Sequence, residues 1–291
     1  MSTRAHPQRV AFQGEKGAFS EEAAVKLLGD RIELVACPNL EALFLSVKEG
    51  GADCALLPIE NSLVGSIHRS YDLLLESSLF ITGEVVTPIT HNLIGCSNAT
   101  FKEITAVQSH PVALAQCEEF FAAHPHIRAV VADDTAGSVA QVIKGGDPSW
   151  AAIAGRRAAE VYGGSLLCEH IEDHPENYTR FVLLSKQPGG HERADKLSLV
   201  LKLHHHSGAL YRALAPFANR GINLLKIESR PVKGRPWQHQ FYLDLQAPVN
   251  DSNVTNAMAE LKESALEVRL LGQYLAAREE GSPAEVPGAS A

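Results

Sequence analysis

Residues 172–184 read Glu-Asp-His-Pro-Glu-Asn-Tyr-Thr-Arg-Phe-Val-Leu-Leu, a polar loop running straight into a short apolar strand. Thr179 and Arg180 stand at the mouth of that strand, where a rigid scaffold commonly presents working residues. A threonine hydroxyl donates one hydrogen bond while accepting another, and arginine offers a planar fork that fits a carboxylate. Alone, Thr-Arg-Phe also describes any strand entry whose arginine reaches outward to solvent. The pattern on either side of it decides the fold.

Upstream, strand and helix alternate. Val10–Gln13 is a short strand, followed by Gly14-Glu15-Lys16-Gly17-Ala18-Phe19-Ser20 and a helix from Glu21 to Leu28. The glycines permit a tight turn, Ser20 is placed to cap the helix, and the free amides of such a start suit an anion. The spacing is neither the dinucleotide fingerprint nor a Walker loop. Strands at Leu34–Cys37 and Cys54–Pro58 flank an amphipathic helix, Leu40–Lys48. The second strand opens into Ile59-Glu60-Asn61-Ser62, polar groups past a strand's carboxyl end, where open α/β sheets bind ligands; a helix cap is the alternative reading.

A helix at Ile67–Leu75 leads to Ile81–Ile89 and His91–Cys96, extended and apolar, which reads as a crossover to a second lobe. There, Ala106–Gln108 ends in Ser109-His110-Pro111 before a helix over Val112–Ala123. Val130–Ala132 ends in Asp133-Asp134-Thr135-Ala136-Gly137 before a helix over Ser138–Lys144. A lone histidine such as His110 serves as a cap or core residue as readily as an acid. Residues 169–181 then bring the chain back. One crossing out and one return imply two lobes with a cleft between them.

Residues 187–193, Gln-Pro-Gly-Gly-His-Glu-Arg, read as a linker. Beyond it the predicted order is β-α-β-β-α-β, the ferredoxin-like plan: Leu197–Leu203, a helix over 208–219 capped by Ser207, Ile222–Glu228, Gln240–Leu245, Val254–Leu261 and Leu266–Leu271. His204-His205-His206 invites a metal reading, but adjacent side chains on a strand end cannot all face one ion. Residues 276–291, rich in Ala, Gly, Pro and Glu, are expected to form a disordered tail.

Composition narrows the function. At 291 residues, 45% hydrophobic and 21% charged, the chain suits a soluble protein of one large or two ordinary domains. A net charge of −8 argues against nucleic acid and requires a few placed cations to hold any anionic substrate. No apolar run reaches membrane length, and residues 1–9 carry no signal-peptide core. Five scattered cysteines without CxxC spacing read as reduced, and the expected location is cytoplasmic.

Together these motifs resemble the monofunctional prephenate dehydratases with a C-terminal ACT regulatory domain, over roughly residues 8–275. The likeness is carried by residues 14–20, Pro58–Ser62, Ser109–Pro111, Asp133–Gly137 and Asn177–Phe181, with Gly208-Ala209-Leu210 and Glu228-Ser229-Arg230-Pro231 beyond the linker. It departs at Val112, Gly164 and Tyr211. The resemblance implies a type II periplasmic-binding-protein-like catalytic domain over 8–186, with lobe 1 at about 8–85 and 168–186 and lobe 2 at about 86–167. An ACT domain over 195–275 would follow. It further implies conversion of prephenate to phenylpyruvate in phenylalanine biosynthesis, with no metal and no organic cofactor. Thr179, Arg180, Phe181, Glu60, Asn61 and Ser62 would be catalytic, and Ser20, Ser109, His110 and Thr135 would bind substrate. In that picture Arg180 or the helix amides clamp the pyruvyl carboxylate, and Glu60 is either an acid or a hinge-bonding residue. Gly208, Ala209, Leu210, Glu228, Ser229, Arg230 and Pro231 would bind phenylalanine between chains of a homodimer or homotetramer paired through the ACT domains. Arogenate dehydratase and a non-catalytic amino-acid sensor are the alternatives.

Overall fold

Val10, Ala11 and Phe12 are all fully buried, and a strand that buries consecutive residues needs cover on both faces. The computed structural model, which describes residues 7–277 apart from Lys233 and Val249, supplies that cover. Strand β1 (Gln8–Gln13) lies parallel between β2 (Ile32–Cys37) and β3 (Cys54–Asn61), connected through helices α1 (Phe19–Leu28) and α2 (Leu40–Glu49). The short β4 (Gly65–Ser66) pairs with β3, and α3 (His68–Glu76) leads to β5 (Phe80–Pro88). Helix α1 covers one face, packing Ala23 and Ala24 on Val10 and Leu56; α2 and α3 cover the other with Leu43, Val47, Tyr71 and Leu74.

The chain crosses at residues 89–91 into the second lobe. Its strands are β6 (Asn92–Gly95), β7 (Ala106–Ser109), β8 (Arg128–Val131), β9 (Trp150–Ala154) and β10 (Ser165–Cys168), ordered β10-β6-β9-β7-β8. Helices α4 (Pro111–Ala115), α5 (Glu118–Ala123), α6 (Thr135–Gly145) and α7 (Arg156–Tyr162) connect them. The return strand β11 (Tyr178–Ser185) inserts antiparallel between β3 and β5, giving the first sheet the order β2-β1-β3-β11-β5.

Three local expectations are corrected. The helix expected over 112–123 breaks in two at Gln116 and Cys117. Helix α1 begins at Phe19, so Ser20 lies inside its first turn and caps nothing. Ser207 is likewise no cap: Gly208, at φ 76°, stands there because the chain enters α8 (Ala209–Ala218) through the left-handed region.

The C-terminal unit follows the β-α-β-β-α-β order, with β12 (Lys196–Lys202), β13 (Leu224–Pro231), β14 (His239–Gln246), α9 (Ser252–Ser264) and β15 (Glu267–Tyr274). Its antiparallel sheet runs β13-β14-β12-β15. Leu199, Leu243 and Leu245 pack on Ala213 and Phe217 of α8 and Leu261 of α9. The opposite face joins the first lobe's core: Val200, Tyr242, Leu271 and Tyr274 cluster with Tyr71, Leu74, Ile81 and Leu184. The Tyr242 hydroxyl donates to the Tyr71 carbonyl at 2.6 Å, and Arg269 reaches the carbonyls of Leu75 and Ser77 where α3 ends. Most of the expected tail, residues 278–291, lies outside the described residues; Ala276 and Ala277 are held by Asp195 and Glu84.

The seam is tightest at β15. A Cβ on Gly272 would sit 2.0 Å from the Ile81 carbonyl oxygen, a backbone atom that cannot rotate away. Gly272→Ala should therefore destabilise the chain by about 1–3 kcal/mol, the usual range for overpacking, read from urea denaturation; an unchanged midpoint would mean that the seam is loose.

Candidate active site

Side chains alternate between the faces of a strand, and the β3–β11 pairing aligns two such alternations. Thr179 faces Asn61 and Arg180 faces Glu60. One pair is turned toward the hinge between the lobes, the other toward the C-terminal sheet.

On the hinge side, Asn61 Oδ1 accepts the amides of Leu63 and Val64 at 3.0 and 2.9 Å, which fixes Nδ2 as the donor end. Nδ2 lies 3.0 Å from Thr179 Oγ1, so the threonine oxygen accepts and its own hydrogen finds no partner among the described residues. That hydrogen is available to a ligand. Ser62 is a latch: its hydroxyl donates to the Glu176 carbonyl and accepts the Tyr178 amide, fastening the loop after β3 to the entry of β11. It has no free hydrogen for chemistry, which corrects its expected catalytic role.

Sequence reasoning missed Gln116 and His91. Asn61 Nδ2 also donates to Asn177 Oδ1 at 2.8 Å, and Asn177 Nδ2 in turn donates to Gln116 Oε1 at 3.1 Å. Gln116 stands at the break between α4 and α5. The same oxygen lies 2.8 Å from Nε2 of His91, a buried residue on the outward crossing. Burial holds the His91 imidazole's pKa below its ordinary value, opposed by Gln116 and Glu172. The sequence signal was His91 itself, since a polar residue in an apolar crossing segment must find a buried partner. The partner's identity needed the fold.

On the other face, Arg180 is wholly engaged. Its guanidinium donates to Glu84 at 2.8 Å, Asp244 at 2.6 Å and the Tyr274 hydroxyl at 3.1 Å. Lys196 binds Glu84 from the other side at 2.9 Å. Glu60 accepts from Lys226 of β13 at 2.6 Å and lies 3.9 Å from Arg180. Burial opposes the charge on Arg180, yet Asp244, Tyr274 and Glu84 outweigh it and hold its pKa above the ordinary value. Arg180 therefore clamps no substrate carboxylate, and Glu60 is neither a free acid nor a hinge residue; both are tied to the C-terminal sheet. Phe181 lies in the core among Val10, Ala23, Leu56 and Val85, which removes it from the chemistry.

The remaining expected residues divide similarly. Ser109 is fully buried with its hydroxyl on the Ile153 carbonyl at 2.6 Å, so it offers a substrate nothing. His110 caps α4 through Nδ1, 3.2 Å from the Val112 amide. Thr135 opens α6, but the carboxylate of Asp134 already meets that helix start at the Gly137 amide. The start of α1 differs: the amides of Phe19 and Ser20 donate to no group among the described residues.

The β13 motif splits by the same alternation. Glu228 accepts from Ser66 at 2.6 Å and approaches His68, and Arg230 pairs with Asp72 at 2.9 and 3.0 Å, so these two face the first lobe and not Gly208-Ala209-Leu210. Ser229 points the other way, 3.1 Å from His239. His239 lines a cleft of ≈ 240 Å³ with Leu203, the three consecutive histidines, Ala209, Leu210 and Phe241. Pro231 pairs with His239 at the end of β13. No group of three or more His, Cys, Asp or Glu side chains among the described residues has metal-binding geometry, and no described helix is long and apolar enough to cross a membrane.

The prephenate dehydratase family profile matches residues 10–189. The chain belongs to the prephenate dehydratase family. It is 41% identical over 277 residues to arogenate dehydratase/prephenate dehydratase 2, chloroplastic, of Arabidopsis thaliana, covering 91% of this chain and 72% of that protein. The prephenate dehydratase of Arthrobacter aurescens in complex with L-Phe superposes with a TM-score of 0.85 at 33% identity, over 92% of this chain and 90% of that one. GqqA, described as a quorum-quenching acylase, superposes at 0.84 with 30% identity over 93% and 98%. The activity of this family member is a dehydratase's, that of a carbon–oxygen lyase.

Arg180 supplies the test that separates the two faces. Arg180→Met leaves Asp244 without its cation and should lower stability by about 3–5 kcal/mol, read as a shift in the urea midpoint. A stable Arg180→Met protein with a selective rise in KM would return this residue to substrate binding.

Proposed function

We infer that this chain converts prephenate to phenylpyruvate, with Thr179 as the residue that supports the departing hydroxyl. The observation that carries this reading is the Thr179 hydroxyl itself, whose oxygen accepts from Asn61 and whose hydrogen stays free beside the hinge. In the reaction the bond between the ring and its carboxylate breaks and carbon dioxide leaves. The electron pair enters the ring, the opposite carbon–oxygen bond breaks, and the oxygen takes up a proton and departs as water. The ring becomes aromatic, so the protein needs to orient the dianion and ease departure of the oxygen. A threonine hydroxyl is too weak an acid to protonate it outright but stabilises the charge developing there. The amides of Phe19 and Ser20, which have no partner among the described residues, suit the pyruvyl carboxylate. The departing carboxylate belongs in an undonated part of the cleft, since holding it tightly would slow its loss.

An acylase chemistry like that described for GqqA lacks support at this site. The Thr179 oxygen meets an amide that cannot act as a base, and the hydroxyls of Ser62 and Ser109 are engaged with backbone groups. Arogenate differs from prephenate only by an amine in place of the keto group. Thr179→Ala should lower kcat by roughly two to four orders of magnitude with little change in Tm. Wild-type assays with both substrates assign the preference. Turnover of neither, with phenylalanine still bound, would make the chain a sensor.

The C-terminal unit is, on this reading, an ACT regulatory domain that binds phenylalanine and pairs chains into a homo-oligomer. Gly208 lets the backbone approach the ligand, Leu210 and Phe241 supply an apolar wall, and Ser229 with His239 supplies polar partners. Leu210→Arg should abolish inhibition by phenylalanine while turnover without it persists. Inhibition of the variant at the wild-type concentration would move the effector to another site.

A further inference from the structure

The hinge holds a buried titratable group that the mechanism above does not use. His91 is 2% exposed, sits on the outward crossing of the chain, and its ring meets Phe19 edge to face at 5.9 Å. Its Nδ1 has no hydrogen-bond partner among the described residues, although its Nε2 lies 2.8 Å from Gln116 Oε1. Buried imidazoles ordinarily satisfy both nitrogens, so this arrangement calls for a cause.

The cause follows from the direction of the hydrogen bonds. Two backbone amides oblige Asn61 Oδ1 to accept, so Asn61 Nδ2 donates to Asn177 Oδ1. Asn177 Nδ2 must then donate, and it reaches Gln116 Oε1. An acceptor at Gln116 Oε1 leaves one role for His91: Nε2 carries the proton and donates, and Nδ1 is a bare acceptor. Polarity set by the loop after β3 is thus handed through both crossing segments without reversal. The remaining consequence falls on Gln116. With Oε1 held by two donors, its Nε2 hydrogens are directed away from both, and they meet no acceptor among the described residues.

We propose that His91, as the neutral Nε2–H imidazole, is a positioning residue for the dehydration. It fixes the amide of Gln116 so that Gln116 presents donors, in register with Thr179, to the substrate's oxygens. His91 itself touches no substrate. Packing on Phe19 contributes to holding the ring, and a proton on Nδ1 would leave a buried donor without a partner among the described residues. This proposal rests on the dehydratase reading and adds to it a second-layer residue that sets which end of Gln116 faces the cleft.

The experiment uses the full-length chain and two variants, assayed with whichever of prephenate or arogenate the wild type turns over. His91→Phe keeps a ring against Phe19 but removes the donor; His91→Gln restores an amide donor. For His91→Phe, kcat should fall about 10- to 100-fold with KM changed less than about threefold, as expected for a misplaced rather than missing group. His91→Gln should recover most of the loss. In parallel, the wild-type protein labelled with nitrogen-15 at histidine should show one imidazole protonated at Nε2 and bare at Nδ1, a signal absent from both variants. Wild-type kcat in His91→Phe overturns the proposal, as does an equal loss in both variants or a His91 signal protonated at Nδ1. The nitrogen measurement decides the polarity even where a variant fails to fold, because in the wild type the His91 ring is also identified by its contact with the Phe19 ring. A wild type that turns over neither substrate sinks the dehydratase reading, whatever tautomer the spectrum reports.

Discussion

The antiparallel pairing of β3 with β11 is the constraint on which the rest of this molecule depends. Two strands in register place Thr179 beside Asn61 and Arg180 beside Glu60, and the period of two sends those pairs to opposite faces. One face carries the hydroxyl beside the hinge; the other carries ions that bind the C-terminal sheet. A one-residue slip would exchange them, placing a guanidinium at the hinge and a threonine in the seam. Ser62 works against that slip by fastening the two strand ends together with backbone bonds in both directions.

The seam is built to be charged and still neutral. Arg180, Lys196 and Lys226 meet Glu60, Glu84 and Asp244, and each ion has at least one close opposite partner. Buried charges are tolerated only when so compensated, because each ion loses hydration that one partner alone repays poorly. An apolar seam of the same area would hold the two units at least as firmly. What the ions add is specificity of position: Gly272 against Ile81 and the Arg180 fork permit one alignment of β15 on β5.

Much of this was legible in the sequence, and the misreadings share one origin. The alternation of strands and helices, the crossing and return, and the β-α-β-β-α-β order follow from apolar periodicity, which local sequence carries. Motifs such as Glu60-Asn61-Ser62, Thr179-Arg180-Phe181 and Glu228-Ser229-Arg230 were each read as one functional unit, but on a strand adjacent residues face opposite ways. Within each triplet, two residues serve the seam, the latch or the core. Which face meets which depends on the third sheet's docking, and no local pattern encodes that. Gln116 and His91 escaped notice because a glutamine in a helical run and a histidine in an apolar one carry no motif; their roles come from being brought together across the hinge.

The alternation on β13 also gives the proposed regulation a physical carrier. Lys226, Glu228 and Arg230 face the first lobe, while Ser229 between them turns the other way and meets His239, which lines the cleft with Ala209 and Leu210. A ligand that draws His239, and with it Ser229, outward therefore pulls on the strand that holds Lys226 to Glu60. Glu60 is the chain neighbour of Asn61, and Asn61 sets both the Thr179 hydroxyl and the polarity of the hinge. The path from cleft to hydroxyl thus crosses one strand, one ion pair and one peptide unit. Coupling requires that the effector bind two arrangements of this path unequally, and an ion pair on an edge strand can be made in one arrangement and lengthened in the other. Contiguity by itself is not coupling. The link most able to be two-state is Lys226 with Glu60, since the neighbouring Arg180 is held by three other groups and cannot follow.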